Sequence, residues 1–180
     1  MTATPNGQLL GNHGDVTFTV RGAECIDLLE PLWLVLFDDH LATGNAGFPG
    51  VPRGQTWELR RRLYRQIFAE DETAFVALAE RDGEAVGYAV CHRHEGWDDT
   101  WETGDWVGEV ETLVVAPDAR GGGTGTAMLD AAEAELGRRG AHDIRIAVMA
   151  GNDRAMEFYL RRGMRPTITY LMRLGPRDST

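Results

Sequence analysis

Two adjacent residues, Asp82 and Gly83, constrain this chain more than any other pair. They separate residues 75–81 from residues 85–94, both rich in β-forming side chains. An Asp-Gly pair supplies the positive φ angles of a tight primed turn, so the two flanking runs are expected to be antiparallel strands. A polar tract, EGWDDTWETGDW, then interrupts, and residues 107–115 (VGEVETLVV) resume as a strand. That strand leads through a Pro-Asp and glycine-rich turn into a helix over residues 124–139, with Met128, Leu129, Ala132 and Leu136 facing inward. Gly140 stops the helix, and residues 143–149 form a further β-branched run.

Around this centre the remaining elements fall into place. Residues 16–20 (VTFTV) alternate as a short strand does. Ile26, Leu29, Trp33, Leu36, Phe37 and His40 then recur at the three- and four-residue steps of one buried helical face. Residues 41–55 are broken by Gly and Pro and read as a loop. A second helix over 56–70 has Leu59, Leu63, Tyr64, Ile67 and Phe68 on one side. Asn152 and Asp153 can cap a short helix ending near Gly163, and residues 166–174 (PTITYLMRL) read as a terminal strand. The predicted order is β-α-α-β-β-β-α-β-α-β. It makes an α/β (α+β) chain, a mixed sheet with helices on its faces.

With 180 residues the chain can bury one core, so the reading is a flexible lead over residues 1–15 and a single domain over 16–176. No run is apolar enough for a membrane span and no secretory signal is visible, which predicts a cytoplasmic protein without a membrane partner. Cys25 and Cys91 are too few and too scattered for a disulfide framework and read as small buried apolar residues. A formal net charge of −10 argues against a nucleic-acid partner, because such binding relies on cations that neutralise phosphate. The charges are uneven, however. Arginines gather after Arg120, whereas the stretch from Glu95 to Glu111 is acidic, a division suited to an anionic cofactor and a cationic acceptor.

The turn after residue 115 carries the clearest chemistry. Arg120-Gly121-Gly122-Gly123-Thr124-Gly125-Thr126 joins a strand to a helix. Glycines lack the Cβ that would hold a ligand off, so their N–H groups can converge on one anion. The helix start adds free N–H groups and the positive end of its dipole. The segment is neither a complete G-x-G-x-x-G nor a Walker loop, since no Lys follows a glycine. Taken alone, it could equally be a turn that uses glycine for tight packing.

The combination of Val115, Arg120-x-x-Gly123-x-Gly125, Asn152, Ala155, Phe158-Tyr159 and Gly163-Met164 resembles the GNAT superfamily of N-acetyltransferases. The first part is similar to that family's R/Q-x-x-G-x-G/A pyrophosphate motif. The second is similar to its N-x-x-A-x-x-F-Y block, with Met164 where an aromatic residue is usual. The resemblance implies a mostly antiparallel mixed sheet and acetyl-CoA as co-substrate, with Arg120 to Thr126 on the coenzyme A pyrophosphate. It further implies that Leu113, Val114 and Val115 pair with pantetheine, that Asn152 and Arg154 contact the cofactor, and that Tyr159 lies near its sulfur. A bulge that turns a backbone N–H toward the thioester oxygen is expected near Leu113 or Val114.

Transfer to an amine needs a free lone pair. An alkylamine of pKa about 10.4 is mostly protonated at neutral pH, and freeing it costs roughly 4 to 5 kcal/mol. Glu109 and Glu111 are the candidate bases; on a regular strand they face the same side as Leu113 and Val115, and Glu111 is slightly favoured. Both could instead be solvated rim carboxylates. Tyr159 is the candidate acid for the leaving thiolate, against a plain core role on the Ala155, Phe158 and Tyr159 face. Trp97, Trp101 and Trp106 interleave with acids in the 95–106 tract, which either holds a cationic acceptor by charge and cation–π contact or serves as a solvated loop or homodimer contact. His92 and His94 alone are a weak metal signal, and no metal is predicted. The expected activity is direct acetyl transfer to a small-molecule amine in a ternary complex. The rival readings are a non-catalytic acyl-CoA-binding module and an acyltransferase with another donor, or with a hydroxyl or protein acceptor.

Overall fold

The Asp82-Gly83 turn folds as its residues dictate, with φ angles of 54° and 82°. In the computed structural model of the protein, residues 7–43, 49–96 and 102–175 are described. They contain six strands: β1 (Leu9–His13), β2 (Val16–Arg21), β3 (Phe75–Arg81), β4 (Glu84–Glu95), β5 (Trp106–Val115) and β6 (Asp143–Ile146). The helices are α1 (Glu30–Ala42), α2 (Arg53–Glu70), α3 (Thr124–Arg138) and α4 (Asp153–Arg161), with a 3-10 stretch over Ala23–Leu29 leading into α1. The strands lie in sequence order. Neighbours from β1 to β5 are antiparallel, and β6 alone runs parallel to β5, reached through α3.

Period-two alternation sends neighbouring side chains to opposite faces of the sheet, and a separate core forms on each. On one face Phe18, Phe75, Ala77, Cys91 and Val110 meet Met128, Leu129 and Leu136 of α3 and Tyr159 of α4. On the other, Val76, Tyr88, Val90 and Val114 meet Trp33 and Phe37 of α1 and Trp57, Tyr64 and Ile67 of α2. This second core contains a polar junction: the Tyr64 hydroxyl donates to Thr112 Oγ1 at 2.7 Å and lies 3.1 Å from the Tyr88 hydroxyl. α2 is thereby tied to β4 and β5 at a point that excludes water. Among the described residues no helix is long and apolar enough to cross a membrane.

Two expectations about the ends of the domain are overturned. Residues 9–13, set aside as part of a flexible lead, form β1, whose backbone ladder to β2 includes the pairs His13↔Val16 and Asn12↔Thr17. An edge strand is held by such ladder bonds, so it forms here without the apolar alternation that would mark it in a sequence. Conversely, residues 166–174 have the alternation and form no strand. Tyr170 and Leu171 are exposed and no ladder joins this segment to the sheet, so its pattern finds no partner. The sheet keeps six strands, with its first strand gained and its last one lost.

Candidate active site

The site begins where the sheet comes apart. β6 pairs with β5 only from Val107 to Val110, so residues 111–115 of β5 have no strand beside them on that edge among the described residues. Backbone N–H and C=O groups left open in this way offer a ladder to any extended partner. The register of β5 on β4 also shifts here: Thr112 opposes Val90 and Val110 opposes Cys91, which leaves Glu111 as the extra residue of a bulge. The bulge thus falls at Glu111, two to three residues before the expected position.

The bulge re-aims the carboxylates. Val110, before it, packs with α3, whereas Thr112 and Val114 beyond it face α2, and Leu113 and Val115 face the α3 side. Glu111 reaches Arg60 of α2 at 2.7 Å. Glu109, next to inward Val110, points to that same α1/α2 side. The expectation that both glutamates share a face with Leu113 and Val115 is therefore wrong, because one extra residue reverses the alternation. Nor do the two share a site: Arg60 takes Glu111, while Arg145 of β6 takes Glu109 at 2.5 Å. The Arg60 guanidinium is itself stacked on Trp33, 4.1 Å from the ring centroid. Glu109 is faced in addition by two imidazoles, with Nε2 of His92 and of His94 at 3.8 and 3.9 Å from its Oε2. His94 Nδ1 lies 2.7 Å from the Glu95 carbonyl, which can only accept, so Nδ1 carries a proton. His94 Nε2 is buried and has no hydrogen-bond partner among the described residues.

Past the open edge, Pro117–Ala119 make a single 3-10 turn and the chain enters α3 through the glycines. Gly121 and Gly123 hold φ angles of 85° and 90°, a left-handed region that L side chains rarely adopt. Ideal Cβ positions on Gly121 and Gly122 meet nothing within 4 Å, so this side of the turn is open to a ligand. Gly123 caps α3 and its carbonyl accepts from Ala127 N–H at 3.0 Å. The amides of Thr124, Gly125 and Thr126 belong to the first helical turn and have no partner within the helix. The Arg120 side chain points away: it donates to the Val115 carbonyl at 2.8 Å and to Asp39 of α1 at 2.7 Å. In this arrangement the backbone, not the Arg120 guanidinium, is what the turn presents.

α4 supplies the remaining candidates. The Asn152 side-chain oxygen caps the helix by accepting from Ala155 N–H at 3.1 Å, and Arg154 is exposed in the first turn with no ion pair among the described residues. Tyr159 is buried at 7 % exposure in the α3-side core with Ala155 and Phe158, and its ring meets Phe158 edge to face at 5.0 Å. Burial alone pushes its phenol above the ordinary value of 10, and its hydroxyl makes no hydrogen bond to the described residues. Tyr159 and Glu109 consequently lie on opposite faces of the sheet.

Trp97 and Trp101 lie outside the described residues; Trp106, from the same tract, stacks under Arg93 with 4.7 Å from guanidinium carbon to ring centroid. Among the described residues no group of three His, Cys, Asp or Glu could hold a metal ion. Sequence reasoning did not single out Arg60, Arg145, Asp39 or His13. Nothing local marks them, since each acts on a residue 36 or more positions away.

Comparison with known proteins fits this geometry. Residues 35–164 match the Acetyltransferase (GNAT) family. An uncharacterized N-acetyltransferase of Methanocaldococcus jannaschii is 32% identical over 151 residues, covering 82% of this chain and 60% of that protein. The aminoalkylphosphonate N-acetyltransferase of Salmonella typhimurium is 33% identical over 113 residues, covering 59% of this chain and 68% of the relative. The chain thus spans about two thirds of the length of these relatives. The fold is shared with the crystal structure of a predicted acetyltransferase from Clostridium acetobutylicum with acetyl-CoA, at a TM-score of 0.66 and 18% identity over 88% of this chain and 96% of that one.

Proposed function

The chain belongs to the GNAT family of acetyltransferases, and from that premise we propose that it transfers the acetyl group of acetyl-CoA to the primary amine of a small molecule. One observation carries the reading: a strand edge without a neighbouring strand leads through a left-handed glycine turn into the unpaired first amides of α3, and the same sheet carries Glu109 and Tyr159 on opposite faces.

In this reading the amides from Gly121 to Thr126 hold the diphosphate of coenzyme A, helped by the α3 dipole with about 0.3 to 2 kcal/mol. The open edge at Leu113, Val114 and Val115 pairs with pantetheine as a further strand would, and Asn152 and Arg154 flank the cofactor at the start of α4. The bulge at Glu111 turns a backbone N–H toward the thioester oxygen, where it stabilises the developing oxyanion. Glu109 takes a proton from the acceptor ammonium, directly or through one water. The imidazoles of His92 and His94 beside it can take up that proton, which favours it over Glu111, although an arginine holds each carboxylate. The freed nitrogen lone pair forms the C–N bond, the C–S bond breaks with its electron pair on sulfur, Tyr159 donates its hydroxyl proton to the departing thiolate, and the second proton, lost from nitrogen as the amide forms, restores the phenol. Burial keeps the phenol protonated and able to donate, and at the same time makes it a weaker acid than free tyrosine. Because both substrates must meet at the gap beside β5, transfer is direct and proximity supplies much of the rate.

The test is thiol release from acetyl-CoA measured across a panel of polyamines, aminoglycosides, aminoalkylphosphonates and amino acids. Tyr159→Phe and Glu109→Gln are expected to cut turnover by about 10²- to 10⁴-fold while coenzyme A affinity survives. Full turnover in either variant removes that residue from the mechanism, and no saturable coenzyme A binding by the wild-type protein removes the reading as a whole.

A further inference from the structure

The glycine turn is held by a residue from the other end of the sheet. His13, the last residue of β1, brings Nε2 to 2.6 Å from the carbonyl oxygen of Gly122. A carbonyl can only accept, so Nε2 carries the proton and donates. Among the described residues this is the only side-chain hydrogen bond to Gly121, Gly122 or Gly123.

Its position matters because of peptide geometry. In a planar trans peptide the C=O of one residue and the N–H of the next point in opposite directions. Fixing the Gly122 carbonyl on the β1 side therefore aims the Gly123 N–H to the other side. The following peptide is fixed independently, since the Gly123 carbonyl accepts from Ala127 N–H within α3. Left unanchored, the Gly122–Gly123 peptide lies between residues with almost no steric restraint and can flip. A flipped peptide would present a carbonyl oxygen, not an N–H, to an anion, replacing an attraction with a repulsion. His13 is well placed to prevent this, because its backbone is held in the β1–β2 ladder opposite Val16. The absence of a Cβ at Gly123 is part of the same fit: one would stand 2.8 Å from His13 Nε2.

We propose that His13 is a positioning residue for the cofactor: by anchoring the Gly122 carbonyl it locks the Gly123 amide toward the diphosphate. The inference rests on the reading of the glycine turn as a diphosphate cradle. It assigns to β1 a role in cofactor binding in addition to closing the sheet edge.

Calorimetric titration of coenzyme A into the wild-type protein, His13→Ala and His13→Gln tests it, with melting temperatures recorded in parallel. His13 is exposed at a sheet edge, so both variants are expected to fold with little change in melting temperature. His13→Ala is expected to weaken binding by about five- to tenfold, the loss of one oriented amide. His13→Gln keeps a donor of similar reach and is expected to recover most of that loss. Unchanged affinity in His13→Ala overturns the proposal, and so does an equal loss in both variants, which would assign the effect to packing. No binding by the wild-type protein would instead defeat the functional reading on which the proposal stands.

Discussion

Replacing Gly123 with alanine tests the glycine turn most directly. The residue holds φ at 90°, and the left-handed region costs a residue with a Cβ about 1 to 2 kcal/mol. The new methyl also meets His13 Nε2 at 2.8 Å and Cε1 at 3.1 Å. An imidazole at the end of a side chain can swing away, but it then gives up its bond to Gly122, worth about 0.5 to 1.5 kcal/mol and toward the lower end at an exposed site. The sum is about 2 kcal/mol, which in a domain of this size lowers the melting temperature by roughly 4 to 8 °C. Gly122→Ala is the control, since its φ is not left-handed and its Cβ meets open space; it is expected to stay within about 0.5 kcal/mol of wild type. Combining Gly123→Ala with His13→Ala should give less than the sum of the two single effects, because both remove the same hydrogen bond. Thermal melts that place Gly123→Ala level with Gly122→Ala would refute the strain argument.

Two further changes probe the α1/α2 side. Tyr64→Phe removes the hydroxyl that bridges Tyr88 and Thr112 in a region closed to water, and is expected to cost about 1 to 3 kcal/mol in urea unfolding; a smaller loss would mean that the stranded hydroxyls find other partners. Burial, with Arg60 nearby and Asp39 opposing, holds the His40 imidazole below its ordinary value of 6.5. The unfolded chain then binds a proton near pH 6.5 that the native protein takes up only at lower pH, so stability is full above that value and falls as pH drops from it toward the depressed native value. His40→Gln should flatten the loss between pH 7.5 and 5.5, and an unchanged slope would assign the acid sensitivity elsewhere.

What could be read from the sequence was what local chemistry decides. The Asp82-Gly83 hairpin, the glycine turn and the Asn152 cap each depend on the φ preference or reach of residues within a few positions, and each forms where the residues put it. The ends of the sheet were misread for one reason: strand formation depends on a partner. β1 has a partner and little pattern, while residues 166–174 have the pattern and no partner.

The facing of the carboxylates shows how far this matters for chemistry. Strict alternation puts Glu109 and Glu111 on the side of Leu113, beside the presumed acid Tyr159. The structure instead lets Val90 and Cys91, adjacent on β4, pair with Thr112 and Val110, and the residue between them is squeezed out. No signal in β5 alone specifies that slip; it follows from what β4, α2 and α3 must each bury. In the proposed mechanism this matters: with regular pairing, acid and base would crowd one face and leave the acceptor no approach of its own. With the bulge, a thioester in the gap beside β5 would meet the amine and Glu109 from the α1/α2 side and Tyr159 from the other. A residue inserted opposite the bulge, between Val90 and Cys91, would restore one-to-one pairing with β5 but leave an extra residue against Phe75 and Val76 of β3, and is expected to lower both stability in urea unfolding and transfer in the thiol-release assay.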